Sequence, residues 1–292
     1  MWKVIGASVA GTSHQAAGRQ CEDACGWRAA TGVTCLAVAD GAGSRPESRC
    51  GAAMAVESSL LACAEGPRAG DPAAWLRLIF AEAREQITAR ALADGNDADD
   101  YATTLAVAIL TGTAVAVGQI GDTIAVAGHA GSYQAVSPAP RAEYVNETSF
   151  LTGPDALDEL RIDVTPAAQA DTVFLATDGL RFKILDDLAT TAPFVPFFED
   201  LAAFARSPLA SDDAVRAFLA GLDDQSGDDK TVIAAVRGCS HAEAAGPVAC
   251  TGPGGWFWLP DGDASFLIGA PPLFGAPPLL PARPAGCQFG VG

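Results

Sequence analysis

The apolar positions of residues 1–238 change period repeatedly, and glycine, proline or aspartate stands at nearly every change. Met1-Trp2-Lys3-Val4-Ile5-Gly6 runs straight into alternating apolar residues, the pattern of a strand. Val33–Ala39 is a short apolar run that ends on Asp40-Gly41. Two amphipathic helices are predicted next. One covers about Glu47–Ala64; the other starts at the Asp71-Pro72 cap signal and reaches about Ala93, with Leu76, Ile79, Phe80, Ala83 and Ile87 on one side. Thr103–Leu110, Ala114–Gln119, Thr123–Ala127 and Tyr133–Val136 are short, β-branched and separated by glycine, which predicts an antiparallel meander. A further strand, Thr172–Thr177, ends on Asp178-Gly179, and a helical region follows over about Leu185–Leu222. The last strand, Thr231–Val236, is reached through Gly227-Asp228-Asp229. Strands in runs with helices in blocks predict an α+β fold of packed sheets covered by helices, not a parallel βαβ fold.

From Cys239 onward the pattern dissolves into proline, glycine and alanine, with Pro-Pro at 271–272 and 277–278. The expected organisation is therefore a domain over 1–238 and a Pro/Gly-rich tail over 239–292, partly extended and polyproline-like. Trp256-Phe257-Trp258-Leu259 and Phe266-Leu267-Ile268 are too apolar for a plain linker, so the tail is expected to dock on the domain or on a partner. The formal net charge of −17 disfavours nucleic acid and anionic membranes as partners. No apolar run reaches the roughly 18 residues of a membrane span, and no signal peptide is legible, so a cytoplasmic protein is expected. The eight cysteines form no metal framework and read as small buried hydrophobes. No glycine-rich phosphate loop opens a helix after a strand.

Composition sharpens the chemistry in one respect. In a chain with only 18% charged residues, acidic groups recur at the ends of predicted strands. They stand at Asp40-Gly41, Asp178-Gly179, Gly121-Asp122, Asp228-Asp229 and Glu22-Asp23. A single Asp-Gly is a turn dipeptide. Several that converge from different strands on one sheet edge form an acidic metal site, since Mg²⁺ and Mn²⁺ take a few carboxylate and carbonyl oxygens and keep several waters. Two such ions about 4 Å apart can share a hydroxide and clamp a phosphoryl group. The cations also reverse the local field that would otherwise repel a phosphate.

The order and wording of these clusters resemble one family. Glu22-Asp23-Ala24, Val38-Ala39-Asp40-Gly41-Ala42-Gly43, Ala102-Thr103-Thr104-Leu105, Ile120-Gly121-Asp122, Leu175-Ala176-Thr177-Asp178-Gly179 and Gly227-Asp228-Asp229-Lys230-Thr231-Val232 are similar to the successive motifs of the type 2C metal-dependent serine/threonine protein phosphatases. They cover roughly residues 5–237. Gly11-Thr12-Ser13-His14, Cys21-Glu22-Asp23-Ala24 and Tyr144–Phe150 resemble a bacterial branch. The resemblance implies a four-layer α-β-β-α sandwich of two antiparallel sheets, with two Mn²⁺ or Mg²⁺ ions at one end. It implies that Asp40 bridges the ions and that the Gly41 carbonyl is a ligand. Asp178 and Asp228 then hold the second ion, Glu22 and Asp23 act directly or through water, and Asp122 with Asp178 matches a third, weaker position. The implied reaction is hydrolysis of phosphoserine or phosphothreonine by a metal-bridging hydroxide. The implied partners are a phosphoprotein and the serine/threonine kinase that made it or is itself the target.

The match departs from the family in three places. The arginine that usually grips phosphate falls on Gly18, leaving Arg19 one position away and His14 as the other candidate. A one-residue shift reverses a side chain on a strand but not in a loop. A histidine that some members carry after the second motif is Ala42 here, and His129 is expected to fill a loop role. Asp229 stands where asparagine is frequent, and it is read as a strand cap rather than a water-mediated ligand. Pro138–Pro166 is expected to be a long loop beside the site that selects substrate. These departures leave open a catalytically weak binding module that acts through its tail, and a small-molecule phosphatase.

Overall fold

The structure, a computed structural model, describes residues 1–66, 70–136, 148–188, 190–223 and 225–238. The expectations for the tail and for 138–147 lie outside those residues. Twelve strands and six α-helices are assigned within them. In chain order they are β1 (Trp2–Val9), α1 (Thr12–Ala16), β2 (Ala24–Ala30), β3 (Val33–Ala39), α2 (Ser48–Ala64), α3 (Pro72–Asp94), β4 (Leu105–Thr111), β5 (Ala114–Ile120) and β6 (Ile124–His129). Then come β7 (Ser132–Ala135), β8 (Arg161–Pro166), β9 (Thr172–Ala176), α4 (Arg181–Ile184), β10 (Leu185–Asp187), β11 (Ala192–Pro193), α5 (Val195–Arg206), α6 (Asp212–Gly221) and β12 (Lys230–Arg237). None of the described helices is long and apolar enough to cross a membrane.

Two five-stranded antiparallel sheets result, ordered β1-β12-β9-β6-β7 and β2-β3-β4-β5-β8. The continuous apolar run of β3 follows from its position, because all seven of its residues are buried. Cys35, Ala37 and Ala39 point to α2 and α3, where they meet Trp75, Ile79, Phe80 and Ile87. Leu36 and Val38 point the other way, into the space between the sheets, with Ala106, Ala108, Val173, Leu175, Ile233 and Ala235. The outer face of the first sheet is covered by α5, whose Phe198 packs edge-on to Phe174 at 5.0 Å between centroids and stacks on Tyr133 at 5.8 Å. Each such aromatic contributes on the order of 2–3 kcal/mol by burial. The four layers are thus helices, sheet, sheet, helices.

Local chemistry sets the boundaries. Asp71 caps α3 by accepting from the Ala73 N–H at 2.9 Å, Pro72 occupies the first turn, and Gly95 ends the helix in the left-handed region at φ 76°. Three expectations need correction. The meander does not stay in one sheet: β4 and β5 belong to one, β6 and β7 to the other. The crossing occurs at Gly121, where φ is 96° and an added Cβ would stand 2.5 Å from Thr104 Cγ2, leaving no place for a side chain. The region 185–222 is not helical throughout, since β10 and β11 precede α5. The Asp187 carboxylate accepts from the Thr190 N–H and hydroxyl, closing a turn that breaks the helix before Pro193. Finally, 138–166 is not all loop, because β8 pairs with β5 at the sheet edge.

Candidate active site

Strand register alone gathers the acidic clusters at one end of the sandwich. Ala24 pairs with Ala39, so Asp23 and Asp40 are neighbours at the ends of β2 and β3. Val232 and Ile124 both pair with Ala176, which brings Asp228-Asp229 and Asp122 beside Asp178. All five clusters therefore meet on one edge, shared by both sheets. Glycine after aspartate serves close packing: a Cβ on Gly41 would stand 2.8 Å from the Glu22 and Ser48 carbonyl oxygens, and one on Gly179 would stand 1.9 Å from the Asp229 carbonyl oxygen.

Asp40 is braced by the Ala102-Thr103-Thr104 segment. Its N–H donates to Thr104 Oγ1 at 3.0 Å, and its carbonyl accepts from Thr103 Oγ1 and the Thr104 N–H, each at 2.9 Å. Asp23 is buried between the sheets, where its Oδ2 accepts from the Thr177 hydroxyl at 2.8 Å and the Thr231 hydroxyl at 2.7 Å. Glu22 is also buried; Ser48 Oγ, at the start of α2, donates to its Oε2 at 2.9 Å, and Arg19 Nη2 donates to its Oε1. Asp122 accepts from Thr148 Oγ1 at 3.0 Å, and Arg161 Nη2 holds the neighbouring Gly121 carbonyl at 2.7 Å. Asp228 is exposed at the lip, with its Oδ1 accepting from the Asp229 N–H at 2.9 Å.

Crowding raises the acids. Burial, reinforced by the charges of Asp23, Asp178, Asp228 and Asp122, pushes Asp40 well above the usual carboxylate range. Burial first, then Asp122 and Asp228, raises Asp178 to about 6, against the opposing effect of Arg181 and of a hydrogen bond from Asp40. Asp23 rises to about 8, chiefly by burial, although its two threonine donors favour the charged form. A cation among these groups would relieve both effects. As the side chains stand, no three His, Cys, Asp or Glu groups among the described residues are drawn tightly enough together to ligate an ion by themselves. The donor set is all oxygen, with carboxylates from separate strands and backbone close by. It therefore fits Mg²⁺ or Mn²⁺ held by one or two carboxylates each, with water completing the shell.

The expected phosphate contacts also fall here. Residues 17–23 form no strand, so the register objection to Arg19 does not arise. Arg19 Nη2 reaches the Gly43 carbonyl at 3.1 Å as well as Glu22. His14 Nε2 lies 3.9 Å from where a Cβ on Gly43 would stand, level with Glu22 Oε2. His129 is not in a loop: it is the last residue of β6, at the end away from the acids, where it pairs with Ser132 and stands 3.5 Å from Asp171. Two participants were not legible beforehand. Arg181 stands 3.6 Å from Asp178 and is half exposed, a cation three residues after the aspartate. Asp229 is not a strand cap: it is 2% exposed and lies under the 11–22 loop, where it accepts from the Gly11 and Glu22 N–H groups. Its signal was only a second acid beside Asp228.

Two antiparallel sheets flanked by helices, with the acids gathered on one edge, match the architecture of the protein phosphatases compared below. The sequence profile described as protein phosphatase 2C matches residues 10–220, well over half the chain. The chain belongs to that family and is a protein serine/threonine phosphatase. It is 29% identical over 251 residues to serine/threonine-protein phosphatase 3 of Escherichia coli K12, covering 80% of this chain and 98% of that protein. The fold is similar to the serine/threonine phosphatase Stp1 of Staphylococcus aureus, with a TM-score of 0.59, 16% identity and coverage of 81% and 95%. It is also similar to PstP of Mycobacterium tuberculosis, with a TM-score of 0.59, 18% identity and coverage of 81% and 99%. A PstP catalytic domain in complex with two manganese ions aligns with a TM-score of 0.57, 19% identity and coverage of 80% and 97%.

Proposed function

We propose that this chain hydrolyses phosphoserine and phosphothreonine on proteins that a serine/threonine kinase has modified. The observation that carries the proposal is the convergence of Asp40, Asp178, Asp228, Asp122 and Glu22-Asp23 on one sheet edge, beside Arg19 and His14. Asp40 would be the carboxylate shared between two Mn²⁺ or Mg²⁺ ions, with the Gly41 carbonyl as a further ligand. Asp178 and Asp228 would hold the second ion, and Asp122 with Asp178 would offer a third, weaker position. Such ions, when bound, activate a shared water and withdraw charge from the phosphoryl oxygens. The manganese-bound PstP catalytic domain supports the choice of cation.

The protein's own groups orient the substrate. Arg19 presents a guanidinium fork and His14 an imidazole nitrogen to the same side of the cleft, suited to phosphate oxygens. Both carboxylate oxygens of Glu22 already accept hydrogen bonds, from Ser48 and Arg19, and Oδ2 of Asp23 accepts from two threonines. Glu22 and Asp23 would therefore act on the ions chiefly through water. The acidic surroundings repel phosphate until cations are present, so turnover depends strictly on them. The test is turnover of a phosphothreonine peptide and of p-nitrophenyl phosphate with added Mn²⁺ or Mg²⁺. A folded sample that turns over neither would remove the proposal, and one that acted on sugar phosphates but not on the peptide would move it to a small-molecule substrate.

A further inference from the structure

Asp229 is a buried carboxylate that the metal chemistry above leaves unused. Its side chain is 1% exposed, and three nitrogen atoms and the Cys21 thiol surround it. Oδ1 accepts from the Gly11 N–H at 2.8 Å and meets His14 Nδ1 at 2.8 Å, while Oδ2 accepts from the Glu22 N–H at 2.6 Å. Gly11 and Glu22 are the two ends of the segment that carries α1 and Arg19, so one carboxylate fastens both ends. The third bond goes to a ring that fastening does not require. A carboxylate has no proton to give, so the hydrogen between Asp229 and His14 must sit on Nδ1. Nε2 is then the nitrogen left to face the cleft. It lies beside Gly43, whose carbonyl also takes Arg19 Nη2.

We infer that Asp229 is a positioning residue for phosphate contact: acting through His14, it fixes the ring's tautomer and holds Nε2 toward the loop that follows Asp40, next to Arg19. The inference rests on the phosphatase reading for what Nε2 meets; the pairing itself does not. His14 side chain exposure is only 13%, so the ring has little freedom to turn, and freezing a side chain in advance lowers the cost of ordering it on substrate. In this chain Ala42 follows Asp40-Gly41, which makes His14 the imidazole nearest the cleft among the described residues. The aspartate provides an acceptor on both oxygens of the carboxyl group. An asparagine would have to turn its NH₂ toward one set of N–H donors.

Two measurements on the full chain test this. The first uses the metal-free protein at pH 8, with long-range ¹⁵N–¹H correlation spectra and His14 assigned by its loss in His14→Ala. The Nδ1–H tautomer is expected; an Nε2–H tautomer or an even mixture would overturn the inference. The second is a double-mutant cycle with Mn²⁺ and p-nitrophenyl phosphate, using Asp229→Asn, which preserves volume. Asp229→Asn should lower kcat/KM by about 5-fold more when His14 is present than in His14→Ala, mainly through KM, the loss common to both backgrounds being that of the loop fastening. Equal losses in both backgrounds would mean that Asp229 only fastens the loop, and would also overturn it. Absence of metal-dependent turnover in the parent protein would strike the phosphatase reading instead, and the spectra would still decide the pairing.

Discussion

Replacing Asp23 with asparagine should stabilise the metal-free protein, and by an amount that grows with pH. Asp23 is 8% exposed and its carboxyl is raised from 3.8 to about 8, chiefly by burial. Below pH 4 the group is protonated in the folded and the unfolded chain, so it exerts no pH-dependent effect. Between pH 4 and pH 8 the unfolded chain has released the proton while the folded chain retains it. The unfolded state then binds fewer protons, and stability falls as pH rises through this window. At 1.36 kcal/mol per pH unit the loss reaches about 2 kcal/mol at pH 5 and about 4 kcal/mol at pH 7, as an upper bound. Asp23→Asn keeps an oxygen for the Thr177 and Thr231 hydroxyls but cannot ionise. Urea unfolding in EDTA at pH 5, 6, 7 and 8, followed by tryptophan fluorescence and circular dichroism, should show the variant gaining on the parent at each step. Saturating Mn²⁺ should reduce the difference at pH 8, because a cation favours the charged carboxylate. A difference that stayed flat from pH 5 to 8 would refute the reasoning, since only titration of this group gives it a slope.

Asp40→Asn and Asp178→Asn should each abolish Mn²⁺-dependent turnover of p-nitrophenyl phosphate while leaving the melting temperature in EDTA unchanged or higher, because each removes a charge from a crowded, repelling set. Thr231→Val should cost about 1–3 kcal/mol in urea unfolding by taking a hydroxyl donor from buried Asp23. Gly179→Ala places a methyl 1.9 Å from the Asp229 carbonyl oxygen, so β12 must shift; a loss of about 2 kcal/mol or more and weakened Mn²⁺ binding by calorimetry are expected.

The fold was legible where a local signal coincided with the tertiary demand. The α3 cap, the apolar run of β3 and the strand stops at Asp40 and Asp178 all sat where expected, because capping, burial and turn chemistry are decided within a few residues. Partition of strands between sheets is not decided locally. β4 to β7 share one pattern of short apolar segments, and only the 96° φ at Gly121 moves the chain from one sheet to the other. β8 does alternate, with Ile162 and Val164 between Arg161, Asp163 and Thr165, but it is a six-residue edge strand with Val164 exposed and ends on Pro166, so it was absorbed into the long loop before β9. β10 and β11 are three and two residues long and carry too little pattern to interrupt a helical reading.

The site divides the same way, and the division has a physical cause. Acids at strand ends can be read in sequence because antiparallel register converts chain position into spatial position: once Ala24 faces Ala39 and Val232 faces Ala176, the acids beyond them must meet. Groups that act by closing a loop have no such rule. Asp229 reaches Gly11, His14 and Glu22 across separations of more than 200 residues, and nothing in the wording of Asp228-Asp229 says which acid faces the cleft and which turns beneath it. Burial makes that distinction, with Asp228 exposed and Asp229 almost fully covered. Arg19 is braced by Glu22 and Gly43 and His14 by Asp229, so the geometry of the two proposed phosphate contacts would depend on the carboxylate that fastens residues 11–22 to the start of β12.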